Sequence, residues 1–210
     1  MRALLSRDRA PERCTTVSSQ PSTRLAPDDL PPAALRQQIA DATRVSVRFE
    51  RGTKWQRTRL LCDCVLCAYA GAIVTSVFSK KEYAVSAGAL SVCIAKPNEW
   101  LCLEARMPAI GPAQYHAWFT ATHPGGRVEV ADVCADHYPA EVDHRALAWS
   151  GGKRPSYMWD WADRLLPDIR FAVDTAAIDQ ARAWYSHHLD LVHGIVQHAF
   201  HLVRAGWGVA

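Results

Sequence analysis

The sequence has no long uninterrupted hydrophobic run. Its longest apolar stretch, residues 65–77, falls short of the roughly 18 residues that indicate a membrane-spanning helix. A secretory hydrophobic segment is also missing near the start, where Ala3-Leu4-Leu5 is too short to form one. We therefore expect no membrane partner and predict a cytoplasmic protein.

The sequence also lacks a strong excess of one charge. Lys and Arg together number 24 and Asp and Glu 21, which gives a net charge of +3 with His neutral. Part of this small excess lies in an arginine-rich start, at Arg2, Arg7, Arg9 and Arg13. Nucleic-acid-binding domains typically concentrate far more positive charge on one face. The sequence therefore predicts no nucleic-acid partner.

Cysteines are present in an odd number, seven, and most stand within apolar runs rather than in loops. That placement is typical of reduced, buried thiols in a reducing compartment. The segment Cys62-Asp63-Cys64-Val65-Leu66-Cys67 has three thiols that could bind zinc or an iron–sulfur cluster. A second Cys-x-x-Cys motif is absent from the sequence, which disfavours that metal interpretation.

The composition divides the chain into a tail and one domain. Residues 1–27 are rich in Ser, Thr, Pro and Arg without periodicity, so we predict a disordered tail. Residues 28–210 contain no internal repeat. Because 49% of the chain is hydrophobic, we predict that they form a single domain with a sizeable core.

Hydrophobic periodicity predicts an α+β domain. Residues 65–78 are apolar almost all round, which is typical of a helix buried on every side. Strands are predicted at residues 45–49, 83–95, 100–106, 115–122 and 127–134, and one long amphipathic helix at 175–204. Residues 135–172 look irregular. A buried helix followed by antiparallel strands favours an α+β layered fold.

Three residues stand in an order that suits thiol chemistry. Cys64 opens the buried helix, His116 lies in a later strand, and Asp132 lies in the strand after it. A thiol nucleophile needs a base that takes its proton and a carboxylate that orients the base. A helix N-terminus lowers the pKa of a cysteine, and its unpaired N–H groups can help to form an oxyanion hole. Cys62 is the main alternative nucleophile.

Hairpin geometry relates His116 to Asp132. If Ala121 pairs with Arg127 across the turn, His116 lies directly opposite Asp132. Directly opposed side chains point to the same face of a sheet, about 5 Å apart at Cβ. A carboxylate there can hold the imidazole in the tautomer that catalysis needs. A change of turn register makes the pair diagonal instead.

The segments Cys64-Val65-Leu66-Cys67-Ala68-Tyr69-Ala70, Ala87-Gly88, His116-Ala117-Trp118 and Asp132 together resemble the transglutaminase-like branch of the papain-like cysteine enzymes. The resemblance covers residues 60–138. It implies a papain-like or transglutaminase-like fold and a catalytic triad of Cys64, His116 and Asp132. It also implies acyl transfer through a thioester on a peptide, protein or amide substrate, with no cofactor or metal.

The resemblance also suggests an oxyanion donor. In a papain-like arrangement Gln56 could reach Cys64, and the indole N–H of Trp55 is an alternative. Val133-Cys134-Ala135 follows Asp132, whereas the family often has Pro-Thr or a similar pair there. Residues 139–210 match no part of the family pattern.

Other interpretations remain open at this point. A non-enzymatic binding protein on the same fold would use its cysteines for packing or for zinc. His137 and His144, which follow Asp136 and Asp143, are the second choice for the triad. The substrate, the choice between hydrolysis and amine transfer, and the oligomeric state are not determined by the sequence.

Overall fold

The structure, a computed structural model, describes residues 30–54, 63–93, 100–103, 105–106, 114–135, 156–165 and 169–207. The predicted tail, residues 1–27, lies outside these ranges. Within them, no helix is long and apolar enough to cross a membrane.

Along the described ranges two helices come first, seven strands follow, and two more helices end the order. The helices are α1 (Ala33–Lys54), α2 (Asp63–Ser79), α3 (Thr175–His187) and α4 (Leu189–Arg204). The strands are β1 (Ala84–Cys93), β2 (Trp100–Leu103), β3 (Ala105–Arg106), β4 (Gln114–Thr122), β5 (Val128–Asp132), β6 (Met158–Trp161) and β7 (Ile169–Val173). The predicted α+β class is confirmed.

Every strand pairing in the described sheet is antiparallel. The main order is β2-β1-β4-β5-β6, while β3 pairs with β4 and β7 pairs with β1. Helix α2 packs on β4 and also contacts α1 and α4, which pack against each other. The sheet and this helical layer enclose the main core.

Helix α2 is buried over most of its surface, as its apolar sequence predicts, but not on every side: Val77 near its end is 55% exposed. Val65, Leu66, Ala70 and Val74 have no exposed surface. A Cβ added at Gly71 would lie 2.6 Å from the ring of Phe119 in β4. Because glycine has no side chain, the backbone of α2 comes close to the sheet, and the ring of Phe119 fills the space between them.

Gly88 permits a second close approach, between β1 and β7. It pairs with His116 of β4 and with Val173 of β7. An added Cβ would lie 2.0 Å from the carbonyl oxygen of Ala172, well inside van der Waals contact. The adjacent Asp174 N–H donates to the carbonyl of Ala87, and the Asp174 side chain caps α3. Gly88 therefore fixes where β7 and α3 lie.

We expect Gly88→Ala to lower the free energy of unfolding by about 2–3 kcal/mol, because β7 must move away from the new methyl group. Gly52→Ala is the matched control. Gly52 lies in α1 with nothing within 4 Å of an added Cβ, so the same change should raise stability by roughly 0.5–1 kcal/mol. Urea denaturation measures both. Equal effects of the two substitutions would contradict the close approach at Gly88.

A carboxylate without exposed surface, that of Glu129, organises the turn end of the β4–β5 hairpin. Its Oε1 accepts hydrogen bonds from the hydroxyl of Tyr83 at 2.9 Å and from the indole N–H of Trp159 at 2.5 Å. Its Oε2 lies 2.7 Å from Nε2 of His123. Arg36 of α1 donates to the carbonyl of Trp159. The network therefore joins β5 to β6, to the residue before β1 and to the residue after β4, and Arg36 connects β6 to α1.

Burial raises the pKa of the Tyr83 phenol above its ordinary range, and the charge of Glu129 and the hydrogen bond to it raise it further. Tyr83 therefore stays protonated and remains a donor to Glu129 at physiological pH. A buried carboxylate is tolerated only when donors satisfy both of its oxygens.

Glu129→Leu should lower the free energy of unfolding by about 3 kcal/mol, because three buried polar groups lose their common partner. Glu129→Gln should keep most of the stability. Its amide oxygen can accept from Tyr83 and Trp159, while its NH2 group donates to His123. Denaturation in urea compares the two variants. A Gln variant as unstable as the Leu variant would show that the negative charge, not the hydrogen-bond pattern, is what the fold requires.

The strand predicted at residues 45–49 is wrong, since these residues lie within α1. Its β-branched residues alternate locally, but the buried positions recur at helical spacing. Ile39, Thr43, Ser46 and Val47 face the interior, where α1 packs against α4. Packing against a neighbouring helix has overridden the local strand preference.

The single helix predicted at residues 175–204 is also wrong, because it is divided into α3 and α4 at His188. The backbone of His188 is non-helical, and its N–H donates to the carbonyl of Tyr185. Its ring stacks on Trp184 with centroids 4.1 Å apart. These contacts end α3 although the amphipathic pattern continues.

Two strands occur in the region predicted to be irregular. Met158–Trp161 forms β6 beside β5, and Ile169–Val173 forms β7 beside β1. Three of the four residues of β6 are buried, and β7 is mostly exposed. Neither strand alternates cleanly between apolar and polar residues, so neither shows the two-residue period that sequence analysis detects.

Candidate active site

His116 and Asp132 form a buried imidazole–carboxylate pair. Nε2 of His116 lies 2.5 Å from Oδ2 of Asp132. The two residues are 7% and 2% exposed. The contact expected from the sequence is therefore present in the structure.

The register expected for this hairpin is wrong by two residues. Ala121 pairs with Glu129 rather than with Arg127. The turn starts at His123, whose N–H donates to the carbonyl of Arg127. His116 is consequently diagonal to Asp132. Because side chains alternate with a period of two, a two-residue shift leaves both side chains on the same face, and long side chains still meet.

Both oxygens of Asp132 are held in place. Oδ2 faces His116, and Oδ1 accepts a hydrogen bond from the backbone N–H of Cys134 at 2.8 Å. This local bond closes a turn directly after β5, as aspartate side chains commonly do. It fixes the plane of the carboxylate.

Trp118 lies beside the His116–Asp132 pair. Its ring is 18° from parallel to the imidazole, with centroids 6.2 Å apart, and Phe171 of β7 lies 4.9 Å from it on centroids. Trp118 is 1% exposed. The two aromatic rings keep water from this side of the pair, which strengthens its electrostatic interaction.

Cys64 is the second residue of α2 and is 7% exposed. Its placement in the first helical turn agrees with the sequence prediction. Unpaired backbone N–H groups in that turn favour negative charge on a thiol sulfur.

Cys134 links Cys64 to the imidazole–carboxylate pair. A hydrogen bond to Cys67 raises the pKa of the Cys134 thiol well above its ordinary value, as do burial and the charges on Cys67, Asp132 and Cys64. Cys64 and Asp132 both lie close enough to Cys134 to act on it electrostatically. The first turn of α2 therefore meets the chain just after β5.

The sequence pattern did not indicate that Cys134 lies beside Asp132 or that Glu129 is the centre of a buried network. The one available signal for Cys134 was its position two residues after Asp132, where a backbone N–H can reach the carboxylate. Glu129 carried a signal too, since a charged residue amid valines in a strand needs a partner.

Several proposed site residues lie outside the described ranges. These are Gln56 and Trp55, the alternative nucleophile Cys62, and the alternative bases His137 and His144. In the ranges that the structure describes, no group of three or more Cys, His, Asp or Glu side chains is arranged to hold a metal ion.

Comparison with known proteins yields a similarity of fold. No protein-family model matches the chain, and no curated protein matches it significantly. The crystal structure described as "genomics APC5867" resembles it over 82% of this chain and 82% of that one, with 13% identity and a TM-score of 0.51. At this identity the similarity concerns the α+β fold alone.

The raised pKa of Cys134 predicts a pH dependence of stability. An unfolded thiol ionises near pH ~8.5, whereas folded Cys134 keeps its proton to higher pH. The contribution of Cys134 to the free energy of unfolding is therefore complete below pH ~8.5 and declines as the pH rises above it. The stability advantage of the wild type over Cys134→Ala should shrink by about 2 kcal/mol between pH ~7 and pH ~10. Urea denaturation at both pH values measures it. A constant difference between the two proteins would contradict the assignment.

Proposed function

We propose that this protein is a thiol-dependent acyl-transfer enzyme, with Cys64 as nucleophile, His116 as general base and acid, and Asp132 as the residue that orients His116. The observation that carries the proposal is the buried His116–Asp132 pair, with Cys64 at the start of α2 acting on the adjacent Cys134. A paired, buried imidazole and a thiol at a helix N-terminus, both connected to Cys134 and the end of β5, are groups suited to nucleophilic catalysis.

The pairing assigns roles to the two nitrogens of His116. Nε2 faces Asp132, so Nδ1 is the nitrogen that exchanges a proton with Cys64. In the proposed reaction the Cys64 sulfur attacks the carbonyl carbon of an amide, and His116 takes the thiol proton and then gives it to the leaving amine. Water then hydrolyses the thioester, or a second amine attacks it and takes the acyl group. Peptide hydrolysis and amine transfer share this intermediate.

The negative oxygen that forms during attack needs hydrogen-bond donors. Backbone N–H groups in the first turn of α2 supply part of this oxyanion hole in our proposal. The side chain of Gln56 is the proposed additional donor. Asp132 need not change its protonation state, because its role is to hold the imidazole and to stabilise the imidazolium.

We also propose that the fold is papain-like, in its transglutaminase-like form, and that the protein acts in the cytoplasm. Support for the fold comes from the order of elements: a buried helix begins at the cysteine, packs on the strand that carries the histidine, and a hairpin leads to the aspartate. Support for the compartment comes from the buried thiols of Cys64, Cys67 and Cys134, which a reducing environment preserves.

The pH dependence of Cys64 alkylation by iodoacetamide tests the proposal. At pH ~6 an activated thiolate reacts quickly and an ordinary thiol slowly. We expect His116→Ala to slow this alkylation by about a hundredfold, because the imidazolium that stabilises the thiolate is lost. Peptide mapping by mass spectrometry identifies the alkylated cysteine, and Cys67→Ala serves as the control that leaves Cys64 and His116 in place.

Activity is measured on a panel of peptides and amides, with hydroxylamine as an acyl acceptor that traps the thioester as a hydroxamate. Cys64→Ala should abolish hydrolysis and hydroxamate formation and leave urea denaturation nearly unchanged. An active Cys64→Ala protein would refute the assignment. A slow thiol whose alkylation His116→Ala does not change would instead favour a non-enzymatic binding protein on the same fold.

A further inference from the structure

Three thiols gather where α2 meets the end of β5. Cys64, Cys67 and Cys134 belong to one core cluster and are 7%, 3% and 2% exposed. Cys64 and Cys67 form a Cys-x-x-Cys motif in the first turns of α2. The proposed reaction uses only Cys64, which leaves two buried thiols beside the nucleophile without a role.

We propose that Cys64 and Cys67 form a reversible, peroxide-driven disulfide that switches the nucleophile off. This inference rests on the proposed function for its biological effect, while the disulfide itself depends only on the thiols. Such a site protects a catalytic cysteine from irreversible oxidation.

The chemistry has two steps. Hydrogen peroxide oxidises the Cys64 thiol by two electrons. The O–O bond breaks, an S–O bond forms and water leaves, so that Cys64 becomes a sulfenic acid. The Cys67 sulfur then attacks the Cys64 sulfur. An S–S bond replaces the S–O bond, and the hydroxyl group leaves as water with the proton of Cys67. A dithiol reductant restores both thiols.

Helix geometry permits the disulfide. Residues three apart in an α-helix have Cα atoms about 5 Å apart, inside the ~4.4–6.8 Å range of disulfides. Their Cβ atoms are slightly too far apart, at about 5–6 Å, so the first turn must adjust locally. The N–H groups there have no partner within the helix, and Cys-x-x-Cys disulfides are typical of such a position.

The contacts of Cys134 favour Cys67 as the resolving thiol. Cys134 forms a hydrogen bond to Cys67, and this bond and burial raise the pKa of the Cys134 thiol, so Cys134 keeps its proton and is the poorer attacking thiol. The backbone N–H of Cys134 also holds Asp132. A disulfide between Cys64 and Cys134 would pull this turn away from the carboxylate, whereas one between Cys64 and Cys67 stays within α2.

The experiment treats the full-length protein with hydrogen peroxide, blocks remaining thiols with a maleimide, and digests the unreduced protein with chymotrypsin. Cleavage after Leu66 separates Cys64 from Cys67, so their disulfide appears as two linked peptides by mass spectrometry. We expect this linkage, together with a loss of iodoacetamide-reactive Cys64 of about tenfold that dithiothreitol reverses.

Variants show which thiol forms the disulfide with Cys64. In Cys67→Ser, peroxide should oxidise Cys64 further to the sulfinic acid, which dithiothreitol does not reverse. Cys67→Ala is used instead if the serine variant disturbs the core. Cys134→Ser is the matched control, a buried neighbouring thiol whose loss should leave the linkage intact. A disulfide from Cys64 to Cys134 or Cys62, no disulfide at all, or reversible oxidation in Cys67→Ser would each overturn the inference.

The outcomes also separate this inference from the proposed function. A Cys64–Cys67 disulfide in a protein without activity on the amide panel supports the redox site and refutes the enzyme. Activity that depends on Cys64 without any disulfide supports the enzyme and refutes the redox site.

Discussion

The pairing of β4 with β5 is the constraint on which the described structure depends. Side chains of this hairpin alternate between two faces. On one face, His123 and Glu129 join the core beneath the helices. The other face carries the candidate catalytic pair, His116 and Asp132, at the strand end where Cys134 lies between Asp132 and Cys64 of α2. Both imidazole–carboxylate pairs are diagonal, two residues from direct opposition, so one register sets both contacts. A one-residue slip of β5 along β4 would send Glu129 and Asp132 to the wrong faces.

Helix α2 supplies the second constraint. It packs directly against β4, where Gly71 admits the ring of Phe119. Its first turn consequently reaches the chain after β5, where Cys134 contacts both Cys67 and Asp132. Cys64 and Asp132, the proposed nucleophile and orienting carboxylate, thus belong to elements distant in sequence but adjacent in the core. Because close-packed interiors resist local change, displacement of this helix should disturb the site as well as the fold.

Burial gives the candidate site its chemical character. A carboxylate and an imidazole that are removed from water interact more strongly than at a surface, and their donors and acceptors must be satisfied nearby. Asp132 meets this requirement with His116 and with the backbone N–H of Cys134. Cys134 and Cys67 meet it through a hydrogen bond to each other.

The sequence by itself determined the elements whose hydrophobic pattern is uniform over one continuous segment. It predicted the all-round apolar helix α2, the strands near β1, β4 and β5, the α+β class, and the three residues from which the site is proposed. Only the tertiary structure decided the register of β4 on β5, the helical state of residues 45–49, the break at His188 and the position of Cys134. Each of these depends on contacts between residues distant along the chain. Local periodicity records which face of an element is buried, but not which partner covers it or at what offset.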